Sequence, residues 1–241
     1  MKNLSRSALE PFGQALLAYW RGNKSAMLMH ECKTGQKKSI PVSVFFRTDS
    51  EFFPTENVFE YCQGRILDVG AGTGIHALEL EKQGFEVTAI DICPQAVQIM
   101  RERGIGDVQQ QDFLQFEGET YDTILMLGQN IGICETLKGI EGLLNRCQIL
   151  LRHGGQLLVN STDEPKPLNA QNDLTYPGEL EFRLCHDGNL GPWIRWLHVD
   201  FDTLKSYAIK CGWSTEKLID TQEGAFLARL KPNLGSARPK Y

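Results

Sequence analysis

Asp68, Gly70, Gly72 and Gly74 fall at alternate positions along Asp-Val-Gly-Ala-Gly-Thr-Gly, directly after the apolar pair Ile66-Leu67. Glycines so spaced let a chain turn through positive φ and let a ligand approach the backbone with no Cβ in the way. Two further acids, Asp91 and Asp112, each follow a predicted strand downstream. Asp91 lies seventeen residues beyond Gly74, about the separation at which an acid meets a ribose diol in doubly wound folds. The chemistry open to this set is the binding of a nucleotide-like cofactor. A dinucleotide loop wants glycine at its first, third and sixth positions, whereas here the sixth is Ile75 and glycine stands at the fifth. A carboxylate at the mouth of the loop also suits an ammonium or sulfonium better than a pyrophosphate dianion.

These side chains need a sheet to hold them. Residues 66–69 read as a short buried parallel strand, and helical spacing resumes with His76, Ala77, Leu78 and Leu80. The helix that follows the loop offers its unpaired N–H groups to a ligand. Residues 85–91 predict a second strand; Cys93-Pro94-Gln95 opens a helix that Gly104 stops. Residues 108–111 are a third strand, ending at Asp112-Phe113, and residues 121–127 a fourth, followed by Gly128-Gln129-Asn130. A stripe of Leu137, Ile140, Leu144, Cys147 and Leu151 predicts a helix over 136–151, ended by His153-Gly154-Gly155, before a fifth strand at 156–160. Strand order in such a sheet reverses between the first and fourth strands, so the loop after residue 127 should face the ligand.

The passage from residue 65 to 160, two fifths of the chain, resembles the class I S-adenosylmethionine-dependent methyltransferases, in the branch acting on small molecules. Asp-Val-Gly-Ala-Gly-Thr-Gly is similar to that family's first motif, and the helix-glycine-glycine-strand passage to a later segment. The resemblance implies an α/β fold: a doubly wound, Rossmann-like seven-stranded sheet closed by a terminal antiparallel β-hairpin. It implies S-adenosyl-L-methionine as cofactor, held by Asp68, Gly70, Ala71, Gly72, Thr73 and Gly74 in the loop and by Asp91 and Ile92 at the ribose. Asp112 would accept from the adenine amino group with Phe113 covering the ring, and Leu127 and Gln129 would follow the fourth strand. Each acid also has a plain structural alternative, as a strand-end cap or turn former.

The flanks predict what surrounds that core. A helix is expected over 8–20, weakened at its start by Pro11 and Gly13, then strands at 26–32 and 40–46 around a basic turn. After the fifth strand comes a polar loop, 161–176, then an inserted β-hairpin of residues 178–185 and 193–199. A helix over 200–212 and two strands within 214–230, turning at Glu223-Gly224, close the chain. A nicotinamide-binding fold would usually end on a parallel strand instead. A single domain is expected, divided into an N-terminal lid segment (1–63), the cofactor core (64–160), the inserted loop and hairpin (161–199) and the closing elements (200–232). In the resembled family, segments before the first core strand and after the fifth build the lid over the methyl donor. Tyr19, Trp20, Arg21, Asn130, Trp193 and Trp196 are accordingly candidates for the substrate site, with packing the competing role for the aromatics. Gln129 and Asn130 are candidates to orient the acceptor.

A sulfonium methyl is already activated, so the enzyme has mainly to hold the acceptor in line and exclude water. A base is needed only for an acceptor that arrives protonated, and His198, His76 and Asp163 are the candidates. The 241 residues, 41% hydrophobic and 23% charged, describe an ordinary globular chain. No run approaches the ~20 apolar residues that cross a bilayer, and Met-Lys-Asn-Leu-Ser-Arg-Ser leads to no apolar signal core, so a cytoplasmic location and no membrane partner are expected. A net charge of −5 disfavours nucleic acid as a partner. So does Gly128-Gln129-Asn130-Ile131, where adenine-amino methyltransferases carry Asn or Asp, two prolines and an aromatic. Seven scattered cysteines without a Cys-x-x-Cys pair predict buried free thiols and no metal site. The expected function is methyl transfer to a small-molecule oxygen, nitrogen or carbon. The rivals are a nicotinamide-dependent oxidoreductase and a non-catalytic S-adenosylmethionine-binding protein.

Overall fold

The computed structural model describes residues 6–163 and 176–233. A 3-10 turn, Arg6–Leu9, leads into helix α1 (Glu10–Trp20), followed by strands β1 (Met27–Cys32) and β2 (Lys37–Pro41). The core then alternates: β3 (Ile66–Val69), α2 (Ile75–Lys82), β4 (Val87–Asp91), α3 (Pro94–Glu102), β5 (Asp107–Gln110), β6 (Tyr121–Met126), α4 (Gly139–Leu150) and β7 (Leu151–Thr162). The inserted strands are β8 (Glu179–His186), β9 (Asn189–Leu190) and β10 (Ile194–Leu197), before α5 (Phe201–Lys210), β11 (Trp213–Asp220) and β12 (Ala225–Pro232).

Seven strands form the core sheet in the order β11-β12-β7-β6-β3-β4-β5. Strands β3 to β7 pair in parallel, whereas β12 runs antiparallel to both neighbours, as the terminal hairpin required. Residues on β3 and β4 are buried throughout because helices cover both faces. Leu67, Ile124 and Leu157 face one way, into a cluster with Leu143 and Leu144 of α4 and Leu204 of α5. Ile66, Leu125 and Leu158 face the other, against Ala77 and Leu80 of α2 and Val97 and Met100 of α3. The period of two along each strand thus becomes two apolar layers.

The flanking segments join into a second, antiparallel sheet, β10-β8-β1-β2, with β9 paired to β8. The joining pair is β1 with β8, in register from Met29↔Cys185 to Cys32↔Phe182. The hairpin turns at Asp187-Gly188, with φ of 45° and 80°, the positive φ that tight hairpin turns demand. A third apolar cluster, including Leu16, Leu28, Ile99 and Phe182, fixes this sheet and α1 against α3.

Several boundaries depart from expectation. The strand expected over 40–46 stops at Pro41, which has no N–H to continue a ladder, and Val42–Phe46 winds into a 3-10 turn. Pro11 and the turn before it delay α1 to Glu10. Helix α4 begins at Gly139, and Leu151 already belongs to β7. His153-Gly154-Gly155 therefore does not end a helix: Leu151 pairs with Tyr121 and Gln156 with Thr123, so the residues between bulge out within the strand. The expected loop 161–176 begins later, since β7 runs to Thr162; its residues 164–175 and the tail 234–241 lie outside the described residues.

Candidate active site

The glycine loop is tied to the carboxyl end of β4. Gly70 N and Ala71 N both donate to Ile90 O, at 2.9 and 3.1 Å. Asp91 Oδ2 accepts from Gly72 N and its Oδ1 from Cys93 N, each at 2.8 Å. Gly70 and Gly72 have φ of +66° and +58°. A Cβ on Gly70 would lie 2.5 Å from Asn130 Nδ2, whereas one on Gly72 would meet no atom within 4 Å. Gly70 therefore admits the Asn130 carboxamide, which donates to Val69 O and Gly70 O at 2.9 Å each, and Gly72 leaves its backbone open to a ligand.

Asp68, 2% exposed, has an Oδ2 with no partner among the described residues. Burial, then the charge of Asp91, pushes its carboxyl up to about 7. Burial raises Asp91 to about 6 against the opposing pull of the Cys93 and Gly72 N–H groups. Two buried carboxylates at one loop favour a cationic ligand, and the unpartnered Asp68 oxygen can accept from an ammonium. His76 differs: burial, then nearby Arg47, lowers it to about 3, so its ring is neutral. The ring stacks on Phe52 at 4.7 Å between centroids.

One cavity of about 2500 Å³ spans this region and the inner face of the second sheet. It brings together Asp68, Gly70, Ala71, Gly72, Thr73, Asp91, Ile92, Asp112, Phe113, Leu127 and Gln129. Gly74 lies outside its lining; it caps α2, where an added Cβ would stand 2.2 Å from Ile105 Cδ1. Asp112 Oδ1 accepts from Leu114 N at 3.0 Å, so its capping role coexists with a place at the cavity. Asn130, Trp196, His76, His198 and Asp163 also line the cavity.

Tyr19, Trp20, Arg21 and Trp193 do not. Tyr19 and Trp20 stack on Phe46, at 4.7 and 6.0 Å, and Trp20 Nε1 donates to Glu102. Trp193 is 42% exposed beneath the Arg183 guanidinium. Tyr19 and Trp20 thus pack on Phe46, off the cavity, and Trp193 lies at the surface. Sequence reading passed over Asn160, Arg47 and Tyr176, which do line it. Asn160 sits near the carboxyl end of β7 and accepts from Gln129 N at 2.9 Å, so the strand-end logic that found Asp91 would have found it. Arg47 has no local signature. Tyr176 donates to Asp200 Oδ2 at 2.5 Å, a pairing 24 residues apart that only the fold creates.

Residues 66–155 match the family model of a methyltransferase domain. A SAM-dependent methyltransferase from Bacteroides fragilis, solved with S-adenosyl-L-homocysteine bound, is 32% identical with a TM-score of 0.87, over 97% of this chain and 98% of that one. The chain belongs to the S-adenosylmethionine-dependent methyltransferases. It is thus an enzyme with S-adenosylmethionine as cofactor, and the nicotinamide alternative is set aside. Among curated relatives, this methyltransferase is 26% identical to the ubiquinone biosynthesis O-methyltransferase of Xylella fastidiosa over 151 residues, 52% of this chain and 60% of that one. It is 33% identical to the demethylmenaquinone methyltransferase of Tropheryma whipplei over 106 residues, 42% of this chain and 43% of that one. The chain therefore spans about 60% or less of the length of these curated relatives.

Proposed function

We propose that this methyltransferase alkylates a small-molecule acceptor held between the glycine loop and the second sheet, and that its four segments act as one domain. The observation that carries this reading is the continuity of the cavity from Asp68 and Asp91 to Phe182, Trp196 and His198. Ligand pockets commonly run to ~300–1,000 Å³, so the space has room for donor and acceptor together. The bound cofactor supplies a methyl group already activated on its sulfonium.

The chain's own contribution is then placement and exclusion of water. The loop, Asp91 and Asp112 hold the donor's amino-acid and nucleoside ends. Phe182 and Trp196, edge to face with centroids 6.3 Å apart, and His30, 4.1 Å from Phe182, form a largely apolar wall for the acceptor. Asn130 has committed its amide N–H groups to the glycine loop, so any help it gives the acceptor comes through its oxygen. His76, neutral and lowered to about 3, is a poor proton acceptor near neutral pH and is assigned to packing beside the donor. His198, half-buried on the lid side, is the better placed base for an acceptor hydroxyl. The acidic balance supports a small acceptor rather than a nucleic acid. The relatives named for quinone biosynthesis make phenols and quinols the first acceptors to try. The test is transfer of a labelled methyl from S-adenosylmethionine to a panel of phenols, amines and sugars, with His198→Ala beside the wild type. Transfer to a phenol, reduced at least tenfold in the variant, supports the reading; full turnover in the variant removes His198 as base.

A further inference from the structure

The chain between β2 and β3 crosses the glycine loop as a strap. Phe45 O accepts from Thr73 Oγ1, Phe52 stacks on His76, and Thr55 O accepts from Asn160 Nδ2 at 3.3 Å. Arg47 lies inside this strap, its side chain 12% exposed, with its guanidinium 4.1 Å from the centre of the Phe53 ring. Its Nη2 donates to Glu56 Oε2 at 2.6 Å, and Glu56 is itself buried, with a side-chain exposure of 8%. That same Glu56 oxygen also accepts from Phe53 N, at 3.1 Å.

This arrangement leaves much of the guanidinium unused. Nε and Nη1 of Arg47 are buried and donate to no atom among the described residues. A guanidinium presents five N–H donors in a fixed fork, matched to the two oxygens of a carboxylate. A buried cation satisfied on one side only is costly, so the site is complementary to a further anion. Arg47 lines the same cavity as His76 and the glycine loop, and its charge contributes to the depression of His76. Asp68 lines this cavity too, with an acceptor oxygen that has no partner among the described residues. A cation and an anion with spare hydrogen-bonding capacity, lining one cavity beside the glycine loop, fit a zwitterionic amino-acid head.

We infer that Arg47 holds the α-carboxylate at the methionine end of the donor, making the site selective for S-adenosyl ligands that carry this carboxylate. The inference rests on the S-adenosylmethionine site and is independent of the acceptor. The competing role for Arg47 is a strut that fixes the strap through Glu56 and touches no ligand.

Two ligands separate these roles by calorimetric titration, without turnover. S-adenosylhomocysteine carries the amino-acid head; 5′-methylthioadenosine keeps the nucleoside and sulfur but lacks it. In Arg47→Met the dissociation constant for S-adenosylhomocysteine should rise about 10- to 100-fold, the range of a charge-assisted hydrogen bond. That for methylthioadenosine should stay within about twofold, because the variant loses only contacts to the absent head. Arg47→Lys should recover part of the preference. Equal loss for both ligands would make Arg47 a strut and overturn the inference, as would unchanged S-adenosylhomocysteine binding. Should Arg47→Met fail to fold, the wild type decides with the carboxyl methyl ester of S-adenosylhomocysteine: weaker binding of the ester supports the clamp, and equal affinity overturns it. Failure of the wild type to bind either parent ligand would instead overturn the donor site, and this inference with it.

Discussion

Replacing Asp68 by asparagine keeps the shape of the glycine-loop acid and removes its charge. The native carboxyl stands at about 7 against an ordinary 3.8, because of burial and then Asp91. That rise corresponds to about 4 kcal/mol against the ionised native form. Between pH 3.8 and 7 the native protein binds more protons at this site than the unfolded chain, so stability falls as pH rises. From pH 6 to 8 the loss amounts to about 1.4 kcal/mol, most of it complete by pH 7. Asp91, raised to about 6, loses its share mainly below that window. His76 acts oppositely: lowered from 6.5 to about 3, it contributes stability that is lost as pH falls through 6.5 toward 3. The difference between variant and wild type removes the His76 contribution and reports Asp68 together with its coupling to Asp91. Urea titrations at pH 6, 7 and 8 should show Asp68→Asn gaining about 1 to 1.5 kcal/mol on the wild type across this range. The same variant should bind S-adenosylhomocysteine at least about tenfold more weakly, from loss of a charge-assisted bond to the ammonium. Parallel stability profiles for the two proteins would refute the reasoning about burial.

Gly70→Ala forces a side chain into φ +66° and a Cβ to within 2.5 Å of Asn130 Nδ2. It should cost about 1–3 kcal/mol in urea denaturation, and adding Asn130→Ala should recover only the steric part. The Cys134 and Cys147 thiols are fully buried and pushed up by burial, while burial and then Asp91 raise Cys93 to about 12. A thiol reagent should reach these three only on the timescale of unfolding, and rapid native labelling of any of them would contradict its burial. Trp193→Ala should leave methyl transfer within about twofold of wild type, since an exposed ring off the cavity contributes little. A large fall in turnover would return Trp193 to the acceptor site.

Sequence alone carried the fold furthest where one local signal fixed one element. Glycine spacing and strand-ending acids located β3, β4 and the start of α2, and the closing pair was legible around Glu223-Gly224, its antiparallel sense coming from the family resemblance. The second sheet was only half legible. Both of its hairpins were visible, but the pairing of β1 with β8 joins residues 150 or more positions apart and leaves no local trace. Of the aromatic candidates, Trp196 lines the cavity while Tyr19, Trp20 and Trp193 lie off it for a related reason. Tyr19, Trp20 and Trp193 have the composition of a binding wall, yet which face an aromatic ring takes depends on neighbours such as Phe46 and Arg183. Arg47 was invisible for the opposite reason, since an isolated arginine acquires meaning only from the burial and the partner that the fold provides.

The most direct test of the account is calorimetric titration of the purified protein with S-adenosylhomocysteine and with NAD⁺, repeated for S-adenosylhomocysteine on Asp91→Ala. Asp91 receives the Gly72 and Cys93 N–H groups and lines the cavity, where the proposed function puts the nucleoside end of the donor. The account predicts micromolar binding of S-adenosylhomocysteine, weakened at least about tenfold in the variant, with no heat from NAD⁺. Binding of NAD⁺ alone, or S-adenosylhomocysteine affinity indifferent to Asp91, would contradict it.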